Sequence, residues 1–346
     1  MAYNVFSLHR EGIPKLLAGI ETKEQYEEKM KTIREVWLDY IGGIPERVPV
    51  RYEVLSKERQ PDHERWHLVY DSVYEDKITA HLLVPFDESG EPIRKPRPAI
   101  LALHPTNVKG KSDITLPSGK VNRMYALELV QRGYVVLAPD AMTSGERIFE
   151  GRGHFESAPF YEKFPQWTTV AKNIVDHMQG VDLLCSVDFV AADRIGTIGH
   201  SFGGYNTYFL AGMDPRIKAV VSSCGFSPFA RDDRPTHWGR RDRYTHLPRV
   251  TDDLGRGVVP FDFNEIAALA APVPFMNFSG QSDTIFPHWE SIGESMKDLY
   301  RVYKWLGVGD RFISILGAKE HDFPPEIRKM AYEFFDQWLG GPSHAE

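Results

Sequence analysis

From residue 99 onward the chain alternates short apolar runs of β type with longer helical stretches, and this alternation limits the fold more than any other feature. The runs lie at 99–103 (AILAL), 134–138 (YVVLA), 194–198 (RIGTI), 218–223 (KAVVSS), 273–279 (VPFMNFS) and 312–316 (FISIL). Five of the six are nearly continuous in apolar residues, as strands must be when neither face meets water. Helical stretches at about 120–132, 168–187, 203–212, 289–305 and 325–339 separate and close the series. Strand, helix, strand in succession predicts an α/β fold with a mostly parallel central sheet and helices on both faces. Two further β-rich runs, 66–70 and 77–84, flank a polar turn and predict an antiparallel hairpin that opens the sheet. No repeat at a period of roughly 20–50 residues is visible, which removes solenoids and propellers.

Two additions interrupt or precede this rhythm. Residues 21–40 combine helical spacing with many charges, which predicts an exposed helix leaning on the body through Val36, Trp37 and Tyr40. The expected organisation is an N-terminal helical extension over 1–60 followed by one larger domain over 61–346. Within that domain, 141–167 and 225–265 are too long for plain connections, and the second reads as a lid insertion. Phe149, Phe155, Phe160, Tyr161, Phe164 and Trp167 make 141–167 either a wall able to stack on a flat ligand or the core of an ordered cover.

Composition narrows the partners. With 41 basic and 48 acidic residues the net charge is −7, which argues against a surface made to coat nucleic acid or anionic lipid. Cys185 and Cys224 each lie in an apolar stretch and read as free thiols. Arg10, Glu11 and Lys15 interrupt the place where a signal peptide needs an apolar core, and no run of 18 apolar residues occurs. The expectation is a cytoplasmic protein with no membrane partner. Its oligomeric state stays open, a homo-oligomer included.

The sharpest chemical signal is Gly199-His200-Ser201-Phe202-Gly203-Gly204, placed directly after a buried strand and before a helical stretch. A serine on a tight strand-to-helix turn projects its hydroxyl, the glycines relieve crowding, and the helix N-terminus favours developing negative charge. A serine nucleophile needs a base, and His321 in GAKEHDF sits just past the last apolar strand, where a strand-end loop presents its side chain. A carboxylate should follow the preceding strand, and Asp283 in GQSDTIFP does so. Asp322 and Asp310 are rivals, but an aspartate adjacent to the histidine is poorly placed to accept its ring proton. An oxyanion would be met by backbone N–H groups. Phe202, after the serine, should supply one; in His104-Pro105-Thr106-Asn107 the proline has no N–H, so Thr106 is the candidate for the other. His104 and His200 read as neighbours of the site and as candidates for binding the substrate.

With these motifs the chain resembles an α/β-hydrolase of the dienelactone hydrolase and acetyl xylan esterase type, near the esterase-like peptidase relatives, over about residues 66–340. The order Ser201, Asp283, His321 is the α/β-hydrolase chain order, and Pro139-Asp140 followed by Ser144-Gly145-Glu146-Arg147 also matches. In that group the first oxyanion loop begins His-Gly, where this chain has His104-Pro105. The resemblance implies a catalytic domain over 61–346 that cleaves small carboxylic esters, acetyl or other acyl esters of carbohydrates included, through an acyl-enzyme and without a cofactor. A serine where dienelactone hydrolases carry cysteine shifts the expectation to ordinary esters. Two rivals remain: a serine peptidase or amidase of the prolyl-oligopeptidase-like branch, for whose propeller the roughly 98 residues before the strand at 99 are too few, and a non-catalytic binding module on the same fold.

Three motifs carry weaker signals. His63-Glu64-Arg65-Trp66-His67 satisfies HExxH, but it runs into a β-rich segment, and four residues of strand span about 13 Å, too far for two ligands of one zinc ion. Gly151-Arg152-Gly153 lacks the third glycine of a dinucleotide fingerprint. The run 231–249 holds Arg234, Arg240, Arg241 and Arg243 with His237, Trp238 and Tyr244; it reads either as an ion-paired lid surface or as an arginine, Arg241 the candidate, gripping an acidic substrate such as a uronate or carboxylated ester beside Trp238.

Overall fold

A computed structural model describes residues 2–232 and 235–341; Arg234 of the lid run lies outside them. The strands of the main sheet in chain order are β1 (Tyr52–Arg59), β2 (His63–Asp71), β3 (Lys77–Pro85), β4 (Arg97–Leu103), β5 (Val135–Pro139), β6 (Val190–His200), β7 (Ile217–Ser223), β8 (Phe275–Gly280) and β9 (Phe312–Gly317). They form one sheet in the order β9-β8-β7-β6-β4-β5-β3-β2-β1. From β5 to β9 all pairings are parallel, and β1, β2 and β3 extend the other edge antiparallel. The sheet thus reaches back to Tyr52, ahead of the boundary read at residue 61.

Alternation along β4 shows why both faces are covered. Ile100 and Ala102 project to one side, Ala99, Leu101 and Leu103 to the other, and all are buried. On the first side α2 (Tyr125–Gln131) and α6 (Pro325–Leu339) close the core through Leu129, Phe334 and Phe335. On the other side lie α1 (Lys23–Ile41), α3 (Thr169–Ser186), α4 (Phe202–Met213) and α5 (Trp289–Trp305). The HERWH segment is strand: its residues pair with β3 throughout, His63 Nδ1 lies 2.5 Å from Asp62, and His67 faces Glu146 at 3.1 Å. The helix that HExxH ligation demands is not formed there. No helix among the described residues is long and apolar enough to cross a membrane.

The N-terminal helix is more deeply engaged than its charge suggests. A capping box between Thr22 and Gln25 starts α1, and Gly42 in the left-handed conformation (φ +86°) ends it. Its buried stripe, Tyr26, Ile33, Trp37, Tyr40 and Ile41, packs against α4 and the lid. Trp37 is enclosed completely, its ring 5.2 Å from Phe209 and 5.1 Å from Phe261, and the Tyr40 hydroxyl donates to Asp253 at 2.6 Å. The Asp262 carboxylate accepts the amides of Phe229 and Ala230 at 2.7 and 3.0 Å, tying the two ends of the lid insertion together. Trp37→Ala should lower stability by about 3–5 kcal/mol through the cavity it leaves, read as a shifted midpoint in urea unfolding.

Candidate active site

Ser201 occupies the single residue between the end of β6 and the start of α4, with φ +54° and ψ −117°. A non-glycine residue there is strained and persists only where its surroundings dictate it. Here they do. The Ser201 amide donates to the Ser223 carbonyl at 2.8 Å, and a Cβ on Gly203 would stand 2.0 Å from the Leu103 carbonyl oxygen. A Cβ on Gly199 would meet the Gly203 carbonyl carbon at 2.3 Å. Helix α4 therefore rests backbone to backbone on β4 and β6, which only glycine permits.

The base and acid come from neighbouring parallel strands. Beyond β8 the Gln281 amide donates to the Gly317 carbonyl (2.8 Å) and the Ser282 amide to the Lys319 carbonyl (3.0 Å), so the loops carrying Asp283 and His321 are stitched together. His321 Nε2 lies 2.7 Å from Ser201 Oγ, and His321 Nδ1 lies 2.7 Å from Asp283 Oδ2. The other Asp283 oxygen accepts the amides of Ile285 (2.7 Å) and Phe286 (3.0 Å). Burial alone would raise the Asp283 carboxyl, but the hydrogen bond and charge of His321 and these two amides hold it below the usual carboxylate range. The structure thus brings together the three side chains singled out in the sequence. Asp322 instead accepts from Asn122 with its carboxylate, and its carbonyl faces Cys224.

A cavity of about 480 Å³ opens over Ser201. Thr106 and Phe202 line it, and neither amide donates to an acceptor among the described residues. Trp238 and Arg241 also line it. A second cavity of about 530 Å³ shares Thr106, Phe202, Arg241 and His246 with the first and adds Phe155 from the aromatic insertion. His104 and His200 line neither. His104 is buried; its Nδ1 lies 2.7 Å from the Pro105 carbonyl and its Nε2 accepts the Ala141 amide at 3.0 Å, so it braces the Thr106 loop against the end of β5. His200 is buried behind His321, with ring centroids 4.9 Å apart. Burial, then the charge of His321, pushes its proton affinity well down, which keeps it neutral beside the base.

The sequence singled out Asp140 only as part of a matching motif and gave Phe286, Tyr205 and His246 no role in the site. Asp140 accepts the Lys111 amide (2.8 Å) and ammonium (2.5 Å) and anchors the stretch after Thr106. Phe286, within the acid loop, packs 5.7 Å from the His321 ring. Tyr205 faces the cavity one turn into α4, a position that the spacing from Phe202 could have indicated; its hydroxyl meets His246 Nε2 at 2.6 Å. His246 carried no sequence signal.

One group of metal-ligating atoms is present among the described residues: Cys224, Asp283 and His321, all within 4.8 Å of one another. Burial, then the Asp283 charge, pushes the Cys224 thiol up to about 12. Without a thiolate, and with Asp283 and His321 already holding each other, this group does not fit a metal ion.

Comparison with known proteins places the chain among hydrolases. The profile of the prolyl oligopeptidase family matches residues 122–297. The YtaP protein of Bacillus subtilis (strain 168), named as a hydrolase, is 29% identical over 304 residues, covering 86% of this chain and 96% of that one. Among solved structures, a glucuronoyl esterase from Solibacter usitatus superimposes with TM-score 0.72 at 19% identity, covering 95% of this chain and 98% of that one. A Bacteroides fragilis NCTC 9343 protein named as an acetyl xylan esterase gives TM-score 0.63 at 19% identity, with coverages of 86% and 76%. These two share the fold.

Two outcomes follow from the geometry. Gly203→Ala should lower the melting temperature and deplete folded protein, whereas Gly255→Ala, whose Cβ would meet nothing within 4 Å, should behave as wild type. The Asp283 carboxyl, lowered in the folded state from about 3.9 in the unfolded chain, stabilises the fold above that value and loses this contribution as pH falls toward the folded pKa. In Asp283→Asn, unfolding midpoints should therefore show a shallower decline on the acid side than in wild type.

Proposed function

The chain belongs to the prolyl oligopeptidase family, and from that premise we propose that it is a serine hydrolase of carboxylic esters in which Ser201 is the nucleophile, His321 the general base and acid, and Asp283 the carboxylate that orients the imidazole. The observation that carries this reading is the unbroken relay from Asp283 Oδ2 through His321 to Ser201 Oγ, each step 2.7 Å, opening on a cavity. In it, His321 Nε2 takes the Ser201 proton as Oγ adds to the ester carbonyl. The amides of Phe202 and Thr106 receive the oxyanion, and the N-terminus of α4 adds a favourable field. His321 then returns the proton to the departing alkoxide, leaving an acyl-Ser201. Water, deprotonated by the same nitrogen, releases the acid and restores the serine. Throughout, Asp283 stays ionised and accepts a hydrogen bond from His321 Nδ1–H, stabilising the imidazolium. No cofactor enters the sequence of steps.

Small esters suit the site better than peptides. The cavity over Ser201 is lined by His237, Arg240 and Arg241 and by no carboxylate among the described residues, so nothing there would hold the ammonium of a peptide's amino end. Acyl esters of carbohydrates fit the proposal, with Trp238 and Phe155 as candidate stacking faces. The family itself favours a second reading, cleavage of aminoacyl amides by the same three side chains. Hydrolysis of p-nitrophenyl esters from acetyl to octanoyl, of acetylated sugars and of aminoacyl p-nitroanilides separates the two. The expected result is ester turnover that Ser201→Ala reduces by roughly 10³-fold or more, with labelling by a fluorophosphonate probe lost in the same variant. A folded wild type that neither turns over esters nor labels would leave only a binding module.

A further inference from the structure

The lid arginines are not alike. Arg231 pairs with Glu294 (2.9 Å), Arg240 with Asp252 (2.7 Å) and Arg249 with Asp39 (2.9 Å). Arg241 and Arg243 are the exceptions, with no carboxylate within 4.0 Å among the described residues, and of the two only Arg241 lines both cavities that meet beside Ser201. Its backbone is held, since the Arg241 amide donates to Thr245 Oγ1 at 3.2 Å, and the Thr245 amide in turn donates to Ser157 Oγ at 3.0 Å.

The charge of Arg241 also reaches the cavity lining. Arg241 is exposed, yet its charge is felt on the cavity floor, where burial first and Arg241 second push His246 down to about 3. His246 therefore stays neutral and does not compete for an anion. Asp242 lines the second cavity only, and the first has no acidic wall among the described residues. A cation that lines a site containing the nucleophile, and is left without a protein anion among the described residues, is matched by an anion on the ligand. A planar guanidinium suits a planar carboxylate, which it can grip through two parallel hydrogen bonds.

We propose that Arg241 binds a free carboxylate on the substrate, so that the site prefers esters carrying a second, ionised carboxyl group away from the scissile bond. The proposal rests on the esterase reading and narrows its substrate class. The test compares matched pairs that differ only in that charge: phenyl hydrogen glutarate against its methyl ester for a carboxylate in the acyl half, and 4-acetoxybenzoate against its methyl ester for one in the leaving half. In at least one pair, the charged-to-neutral ratio of kcat/KM should fall about tenfold from wild type to Arg241→Gln, as expected for one partly exposed charge-assisted contact. Arg241→Lys should retain part of the ratio, because the charge remains while the fork is lost. Arg249→Gln, whose arginine pairs with Asp39 and lines neither cavity, should leave it unchanged.

An equal ratio in wild type and Arg241→Gln for both pairs overturns the proposal. If no ester is hydrolysed at all, the esterase reading fails on its own, and calorimetric titration with glutarate still decides the role of Arg241. Glutarate binding to Ser201→Ala that weakens about tenfold on adding Arg241→Gln supports it. Absent binding, or binding equal in both proteins, sinks it.

Discussion

Contact between backbones, where helix α4 lands on the ends of β4 and β6, is the constraint from which the rest of the site follows. At Gly203 a single added carbon would overlap the Leu103 carbonyl oxygen, and at Gly204 it would crowd the Ser223 carbonyl at 2.8 Å. This approach bends the chain sharply enough to place Ser201 at φ +54° and to lift its hydroxyl off the sheet. The strain at one residue is offset by the packing of α4, whose Tyr208, Phe209 and Leu210 are all buried. A looser junction would let Ser201 relax into ordinary helical geometry, and its hydroxyl would no longer point at His321.

The same economy of space recurs at the opposite edge. A Cβ on Gly280 would lie 2.4 Å from the Lys319 carbonyl, so the turn leading to Asp283 can nest against the turn leading to His321. Parallel pairing of β8 with β9 then presents both loops at the same end of the sheet as Ser201, although His321 is 120 residues from the serine and 38 from the aspartate. His200 and Phe323 fill the space behind the imidazole with neutral rings 6.2 Å apart.

Above the sheet, the cover is a composite. The N-terminal helix supplies Trp37 and Tyr40 to the aromatic packing beneath the lid, and Trp238 joins that packing through Phe263 at 4.3 Å and Tyr205 at 5.0 Å. The 141–167 insertion is tied down differently, by Arg147 pairing with Asp176 at 2.9 Å and with Asp76, a carboxylate that Lys172 also holds at 2.6 Å. Such buried pairs add little net stability, but they are directional and fix where a loop sits. Apolar packing holds one wall of the site and charge holds the other, with Arg241 left over between them.

Much of this was legible in the chain because the signals are local. A buried parallel strand must be apolar on both faces, so β4 through β9 announce themselves as runs, and their alternation with helices dictates the sheet. Glycines at 199, 203 and 204 around a serine mark a turn that few other sequences tolerate, and the loops holding Asp283 and His321 follow strands that can be counted. What the sequence could not express is proximity across the fold. That His104 and His200 are braces rather than walls, that Tyr205 and His246 share a cavity, that Asp140 anchors the Thr106 loop, and that Arg241 lines both cavities with no carboxylate beside it among the described residues are all consequences of side chains meeting from distant segments. Local sequence sets the direction of the chain over a few residues, through sterics and the apolar period. Which side chains share a cavity is settled only when separate strands and insertions pack, because burial and partnering depend on neighbours that the sequence does not place side by side.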